Sequence, residues 1–450
     1  MNNISNKPRL TRAASFMAGS VAILLLAACG GGAGADAVSN SNAEAGNGSG
    51  PIKVWALDGQ SAENAAIQKI VDDFTKTSGI TVKMQFIPAD SFQKTVETSA
   101  PEDLPDVLEV DGPVIANFAY NKRIAPLSQF LAADTIKNQT EAIKGQNTVG
   151  KDLYAVGMMN SGLAMWGNKK QLDAAGVTMP TKVQDAWTAK EFGEVLAKLA
   201  KTDPDGKPFG MGEANGLTSE YGIYAFAPIV WSAGTGILKD GKATGSLDSP
   251  QAVDATSTFA SWRKYTDPDT NGTAFQSGKV ALNWMGNWLY PAYKKALGDD
   301  LVVGPLPDFG QGAKTGSGTI AWSIGGYTKN GAAAGKLLDY LMSDKVVAQY
   351  TAANGAPPAT KSALKASALY GKGGPLAFLA SQLESACPTE DKLSKECVAV
   401  SRPITPGYPI ITAEFGKALG AIWGGADAST SLQGAARAID RNFSDNDNFR

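Results

Sequence analysis

The 450-residue sequence contains no histidine. Histidine is the side chain whose ordinary pKa lies near neutrality, and it is the commonest metal ligand among side chains. Its absence excludes Ser-His-Asp and Cys-His catalytic sets and zinc sites built on histidine. Acid–base chemistry would have to rest on carboxylates, lysine or tyrosine. Cysteine is scarce: Cys29, Cys387 and Cys397 are all there is. No stretch reaches the roughly 18 consecutive apolar residues that a membrane-spanning helix needs. No run of Lys or Arg marks a nucleic-acid surface, and 41 basic against 43 acidic residues leave a net charge of −2. No nucleic-acid partner is therefore expected. No repeat of solenoid period is present either.

The first 28 residues carry Lys7, Arg9 and Arg12 and no acid, followed by the apolar run Val21-Ala22-Ile23-Leu24-Leu25-Leu26-Ala27-Ala28 and then Cys29. A basic start, a short apolar stretch and small residues at its end describe a secretory signal over residues 1–28. Its removal would leave a net charge of about −5. Residues 29–50 are rich in Gly, Ala, Ser and Asn, with Val38 as the one branched apolar residue. Such a segment buries too little to order itself. It reads as a flexible linker with a mean reach on the order of 25 Å. Export to an oxidising compartment favours a disulfide between Cys387 and Cys397 across a polar loop, worth about 2–3 kcal/mol in the chain-entropy model. Two free thiols are the other reading.

Ile52-Lys53-Val54-Trp55-Ala56-Leu57 reads as a buried strand, and residues 62–76 place Ala66, Ile67, Ile70, Val71 and Phe74 at helical spacing. Residues 81–87 alternate as a second strand and 106–110 form a third, with helices at 91–99 and 114–120 between and after them. Strand and helix in alternation predict a parallel sheet in an α/β lobe. A strand at 163–166 opens a second region. Helices are expected at 168–175, 188–201, 221–231, 252–265 and 287–296, a strand at 302–305, one long helix over 332–351, and two more helices at 410–423 and 432–443.

The order of these pieces resembles extracellular solute-binding protein family 1, the substrate-binding lipoproteins of sugar ABC transporters, a group that includes maltose-binding proteins. The resemblance runs from Ile52 to about Phe443. It is carried by Val54-Trp55, Val71-Asp72-Asp73-Phe74, Gly79-Ile80-Thr81-Val82, Pro105-Asp106-Val107 and Ile124-Ala125-Pro126-Leu127. Leu153-Tyr154-Ala155-Val156 and Gly167-Asn168-Lys169 continue it. The most diagnostic stretch is Ala274-Phe275-Gln276-Ser277-Gly278-Lys279-Val280-Ala281-Leu282 with Gly286-Asn287-Trp288, and Gly304-Pro305-Leu306-Pro307 and Pro406-Gly407-Tyr408-Pro409 complete the series. The ending Leu26-Ala27-Ala28-Cys29 resembles the bacterial lipobox, whose cysteine is acylated. The resemblance implies a two-lobed periplasmic-binding-protein-like α/β fold of type II, each lobe a mainly parallel sheet flanked by helices, with hinge strands between. Lobe 1 is expected over 51–160 and 320–365, and lobe 2 over 161–319 and 366–450. It further implies a monomer without cofactor or metal, exported to the periplasm or cell surface and held to a membrane by lipid on Cys29. Its partners would be a sugar and the permease subunits of an ABC importer.

A sugar offers an apolar ring face and a rim of hydroxyls, so aromatic rings, carboxylates and amides are the groups to look for. Trp288 reads as the stacking aromatic, with a core tryptophan as its alternative. Asn287 either binds a hydroxyl or caps the next helix. Asp58 and Gln60 lie in the turn after the first strand, and Asp111 ends the third; each is a ligand acceptor or a solvated turn residue. Asn160 and Ser161 sit at the first lobe crossing. Trp322 stands where many members of the resembled family carry glycines, and is expected to form a second aromatic wall. Of Tyr221, Tyr224 and Trp231, one or two can face the cleft. Phe415 is a stacking candidate or a core residue.

Two patterns fail on inspection. Asp267-Pro268-Asp269-Thr270-Asn271-Gly272 opens like a calcium loop, but its twelfth position is Gly278 rather than Glu. Residues 331–336 are spaced wrongly for a P-loop, and Leu337 stands where Ser or Thr is required. A lipid-anchored glycoside hydrolase is the competing function and would need two opposed carboxylates, with Asp58 and Asp111 as candidates. A binding protein for a polyamine or phosphate ester, and a sensor component feeding a receptor, share the same fold.

Overall fold

The computed structural model describes residues 41–212, 216–269, 272–387 and 390–449. The expected signal segment and Cys29 lie outside them. Fourteen strands are named in chain order: β1 Ile52–Asp58, β2 Val82–Pro88, β3 Val107–Asp111, β4 Ile124–Ala125, β5 Thr148–Val149, β6 Asp152–Leu153, β7 Val156–Gly157, β8 Ser161–Asn168, β9 Phe209–Gly210, β10 Leu282–Gly286, β11 Leu301–Gly304, β12 Thr315–Gly318, β13 Ile320–Gly325 and β14 Ala399–Ser401. One sheet runs β2-β1-β3-β13-β4, with β7 also on β13; the other runs β14-β12-β8-β10-β9, with β11 also on β8. β5 and β6 form a small ribbon.

The parallel core expected for the first sheet is present in β2-β1-β3. The expectation of a mainly parallel sheet does not carry to the second. β8 runs antiparallel to β10, β11 and β12, and β13 runs antiparallel to β3, β4 and β7 in the first. The reason lies in the connectivity. β8 enters the second sheet directly from the first, and β13 enters the first directly from the second, so each arrives against the direction of its new neighbours.

The helices follow from apolar periodicity. Ser61–Ser78 buries Ile67, Ile70, Val71 and Phe74 and ends on Gly79 in the left-handed region, where a side chain costs most. Thr188 caps Ala189–Leu199 by accepting from Glu191 N, as the Thr-x-x-Glu pattern predicts. The long helix expected over 332–351 is two helices, Gly331–Leu341 and Asp344–Asn354, broken where Ser343 turns extended.

The expected linker is also shorter than the sequence suggests. Glu44 N donates to Thr328 O (2.8 Å), and the carbonyls of Glu44 and Ala45 accept from Gly331 N (2.9 Å) and Ala332 N (2.8 Å). These amides open the helix Gly331–Leu341 and have no partner within it. Gly331 permits the approach, since a Cβ there would lie 2.8 Å from Glu44 O. Lys336 Nζ adds a bond to Gly48 O (3.0 Å). Residues 44–50 are thus strapped to the first sheet's helical layer rather than free. Cys387 and Cys397 are disulfide-bonded, with Cα atoms 4.9 Å apart. No helix among the described residues is long and apolar enough to cross a membrane.

Candidate functional site

The chain passes between the sheets at residues 158–160, at Thr319 and near Ala356. These crossings are bonded to one another: Thr319 Oγ1 donates to Met159 O (2.5 Å), Asn160 N to Pro357 O (2.8 Å) and Ser161 Oγ to Gly318 O (2.9 Å). A cavity of about 340 Å³ opens on them, lined by Met159, Asn160, Ser161, Thr319, Ile320 and Ala356 at its base.

Its first-lobe wall is the turn after β1, with Gly59, Gln60, Glu63, Asn64 and Ile67. Beneath it, β3 presents Glu109 and Asp111 two residues apart and hence on one face. The β1–β3 ladder ends at Trp55 and Leu108, and the Glu109 carboxylate replaces it by accepting from Leu57 N (2.6 Å). Glu109 is only 6% exposed. Burial, against the opposing effect of that backbone bond, pushes its pKa up to about 8.

The second-lobe wall is aromatic. Gly286 ends β10, and a Cβ there would lie 1.9 Å from the Trp288 ring. Glycine at this position lets the indole fold back toward the cavity. Trp288 and Tyr224 stand with ring centroids 6.0 Å apart, inside the range of productive aromatic pairs. Tyr221 and Tyr224 sit one turn apart on the helix Glu220–Ser232, capped by the Ser219 hydroxyl. Tyr224 OH donates to Ser161 Oγ (3.0 Å) and Tyr221 OH to Met285 Sδ (2.9 Å).

An ion network joins the walls. Arg402 follows β14 and donates to Asp111 through both terminal nitrogens, at 3.0 and 2.9 Å. It also donates to Glu220 Oε1, which takes a second bond from Tyr408 OH. The guanidinium lies 5.0 Å from the Tyr224 ring centroid. Burial opposes its charge, but Asp111, Tyr408 and Glu220 outweigh that and raise its pKa further. Glu220 moves the other way from an ordinary carboxylate: burial raises it, against Arg402.

Of the residues expected to bind ligand, Trp288, Asp111, Gln60, Asn160, Asn287 and Tyr221 line this cavity, and Asp58, Trp322 and Phe415 do not. Asp58 is exposed and accepts from Asn64 Nδ2 (2.5 Å), which turns it into a brace of the turn. Trp322 is 1% exposed; β13 brings Ile320 to the cavity and buries Trp322 two residues further into the first lobe's core. Phe415 packs in the core, and the aromatic of its helix that reaches the network is Tyr408, two turns earlier. Asp111 arrives as half of an ion pair rather than as a free acceptor. Asn287 uses Oδ1 to accept from Gly162 N (2.9 Å), tying β10 to β8. Trp231 is core and donates to Glu390 (3.1 Å). Arg402, Glu220, Glu109 and Tyr350 also line the cavity and were not singled out as site residues by sequence reasoning; a lone Arg before Pro403 carries no local signal.

Two sheets exchanging strands at a hinge, with an aromatic and polar cavity on the crossing, define a two-lobed binding protein. Residues 69–372 match the family of bacterial extracellular solute-binding proteins, and the chain belongs to that family. No curated protein matches it. Among solved structures it is similar to the GacH receptor of Streptomyces glaucescens, studied unliganded and with acarbose (22% identity, 87% of this chain and 97% of that one, TM-score 0.69). It is also similar to an ABC transporter solute-binding protein of Thermotoga lettingae bound with α-D-tagatose (21%, 87% and 98%, 0.71), and to the sugar-binding protein MalE of Xanthomonas citri (19%, 88% and 97%, 0.70).

Proposed function

We propose that the protein captures a sugar or oligosaccharide in the hinge cavity and delivers it to an ABC importer, held to a membrane by lipid on Cys29. The observation that carries the reading is the pairing of Trp288 and Tyr224 with a rim of Gln60, Asn64, Asn160 and Glu109 in one cavity. Stacking faces beside hydroxyl partners suit a pyranose ring. Burial raises the Glu109 pKa to about 8, which favours the protonated carboxyl, and that form would add a donor for a sugar oxygen. The solved structures named above include receptors with carbohydrate ligands, which accords with this reading. The role is capture without turnover: the family is one of solute-binding proteins, and the cavity's carboxylates are engaged in structure, Asp111 and Glu220 with Arg402, Glu109 with Leu57 N and Glu63 with Gln60 N.

A thermal-shift panel of mono- and oligosaccharides tests it. A sugar at 100 times its dissociation constant stabilises by about 2.7 kcal/mol, and Trp288→Ala should abolish that shift while the unliganded melting temperature holds. A response to polyamines or phosphate esters with silence across sugars would overturn the sugar assignment. Sustained release of reducing ends would overturn the absence of turnover. Lipidation is tested apart from binding: Cys29→Ser should release the protein from the membrane fraction.

A further inference from the structure

The charges that line the hinge cavity do not balance. Glu63, Glu109, Asp111 and Glu220 face it, and Arg402 is its sole cation among the described residues. That guanidinium is already shared. Both terminal nitrogens donate to Asp111, at 3.0 and 2.9 Å, and one of them donates to Glu220 as well. Glu63 sits in the first turn of the helix Ser61–Ser78 and accepts from Gln60 N (3.0 Å), where the helix dipole favours negative charge. Glu109 has neither form of compensation.

Its Oε2 accepts from Leu57 N (2.6 Å). Its Oε1 takes no hydrogen bond among the described residues, and it is not sealed from solvent as the unpartnered Asp267 Oδ1 is. The residue is 6% exposed and lines the cavity. The titratable groups packed near it from other elements are Glu63 on the helix Ser61–Ser78 and Tyr350 on the helix Asp344–Asn354. Asp111, two residues further along β3, is held by Arg402. Burial raises the Glu109 pKa to about 8, and the like charge of Glu63 adds to that against the bond from Leu57 N. A neutral sugar leaves the proton in place. A ligand cation displaces it, because an opposite charge close by favours the ionised carboxylate.

The aromatic wall suits a cation too. The face of an aromatic ring attracts an ammonium group, and tryptophan does so most strongly. The Tyr224 ring already has Arg402 at 5.0 Å from its centroid. Trp288 is half-buried and carries no cation over its face among the described residues. An open aromatic face and a carboxyl without a cation thus share one cavity. An anionic sugar would meet an excess of like charge there.

We infer that the sugar taken by this cavity carries a protonated amine, which pairs with the Glu109 carboxylate: an amino sugar, or an oligosaccharide that contains one. This rests on the sugar reading above and adds the ligand's charge to it. The test is isothermal titration of the full chain with neutral mono- to trisaccharides, their 2-amino-2-deoxy counterparts and the N-acetyl forms, which keep the nitrogen and lose the charge. In whichever set binds, the amine should bind about tenfold tighter or more than the two uncharged forms, the size of one hydrogen bond to a charged group. Glu109→Gln keeps the shape and a polar head but cannot ionise, so that ratio should fall to within about twofold. Where that variant fails to fold, the unsubstituted protein still decides. At about pH 6 the amine is protonated before it binds, so titrations in buffers of different ionisation enthalpy should show on the order of one proton released from Glu109 per amino sugar bound, and none for the neutral sugar. A neutral sugar bound as tightly as its amine, a ratio unmoved by Glu109→Gln, or binding of the amine without proton release would overturn the inference and leave the sugar reading standing. Silence from all three forms would overturn both.

Discussion

The two walls of the hinge cavity are held by bonds of opposite range. In the first-lobe wall, Gly59 N donates to Asn64 Oδ1 (3.0 Å), Gln60 N to Glu63 Oε2 (3.0 Å) and Asn64 Nδ2 to Asp58 Oδ1 (2.5 Å), all within six residues along the chain. Asp58, Gly59 and Gln60 are exposed. In the second-lobe wall, Tyr224 reaches Ser161 across 63 residues and Tyr408 reaches Glu220 across 188, and Arg402 ties that wall to Asp111 across 291. Short exposed bonds open at little cost, whereas buried networks open only with the fold around them. A ligand therefore meets one compliant face and one preformed face.

The same contrast explains what could be read from the chain alone. Gln60, Asn160, Asn287 and Trp288 were legible because turns, lobe crossings and the Gly-Asn-Trp stretch are local signals. Arg402 and Glu220 were not, because their roles exist only once residues nearly two hundred positions apart have met. β12 was missed for a related reason. Thr315-Gly316-Ser317-Gly318 has poor strand propensity, yet glycine is required there: a Cβ on Gly316 would lie 2.7 Å from Tyr224 O. Trp322 and Phe415 were misplaced because periodicity gives a side chain's face but not its depth. The break at Ser343 lay within a continuous apolar stripe, so the stripe alone suggested one helix.

Breaking the preformed wall at its centre should have the largest effect. Arg402→Ala removes a buried cation and leaves Glu220 and Asp111, each only partly buried, without it, which costs about 3 kcal/mol, the low end for a broken buried pair, read by urea denaturation. A loss under about 1 kcal/mol would mean that the network is a surface ion pair in disguise. Next is Glu109, whose pKa is raised from 4.5 to about 8. Between those values the folded state keeps a proton that the unfolded state has released. Stability from this group is thus full at acid pH, falls as pH rises through the window, and is flat above about 8. The slope is at most about 1.4 kcal/mol per pH unit. Melting curves of Glu109→Gln against the parent should differ in slope across that window and run parallel outside it. Third, Gly316→Ala forces β12 away from the helix that carries Tyr224 and should cost about 1–3 kcal/mol, with weaker sugar binding in proportion to the displaced ring.

The smallest effect belongs to the compliant wall, and it is the one that sharpens the comparison most. Asn64→Ala removes two bonds of the turn at once, the one to Gly59 N and the one to Asp58. Both are exposed, and water replaces them, so the loss in stability should stay at or below about 1 kcal/mol. Binding should respond differently from stability. Without Asn64, the turn that carries Gln60 has more conformations to lose when a ligand closes on it, which costs about 0.5–1.5 kcal/mol for an ordered side chain. Calorimetry should therefore show weaker binding with a more unfavourable entropy, while the melting temperature of the unliganded protein barely moves. If Asn64→Ala instead unfolds the chain as readily as Arg402→Ala, the turn is as rigid as the aromatic wall, and closure must be explained by the hinge crossings alone.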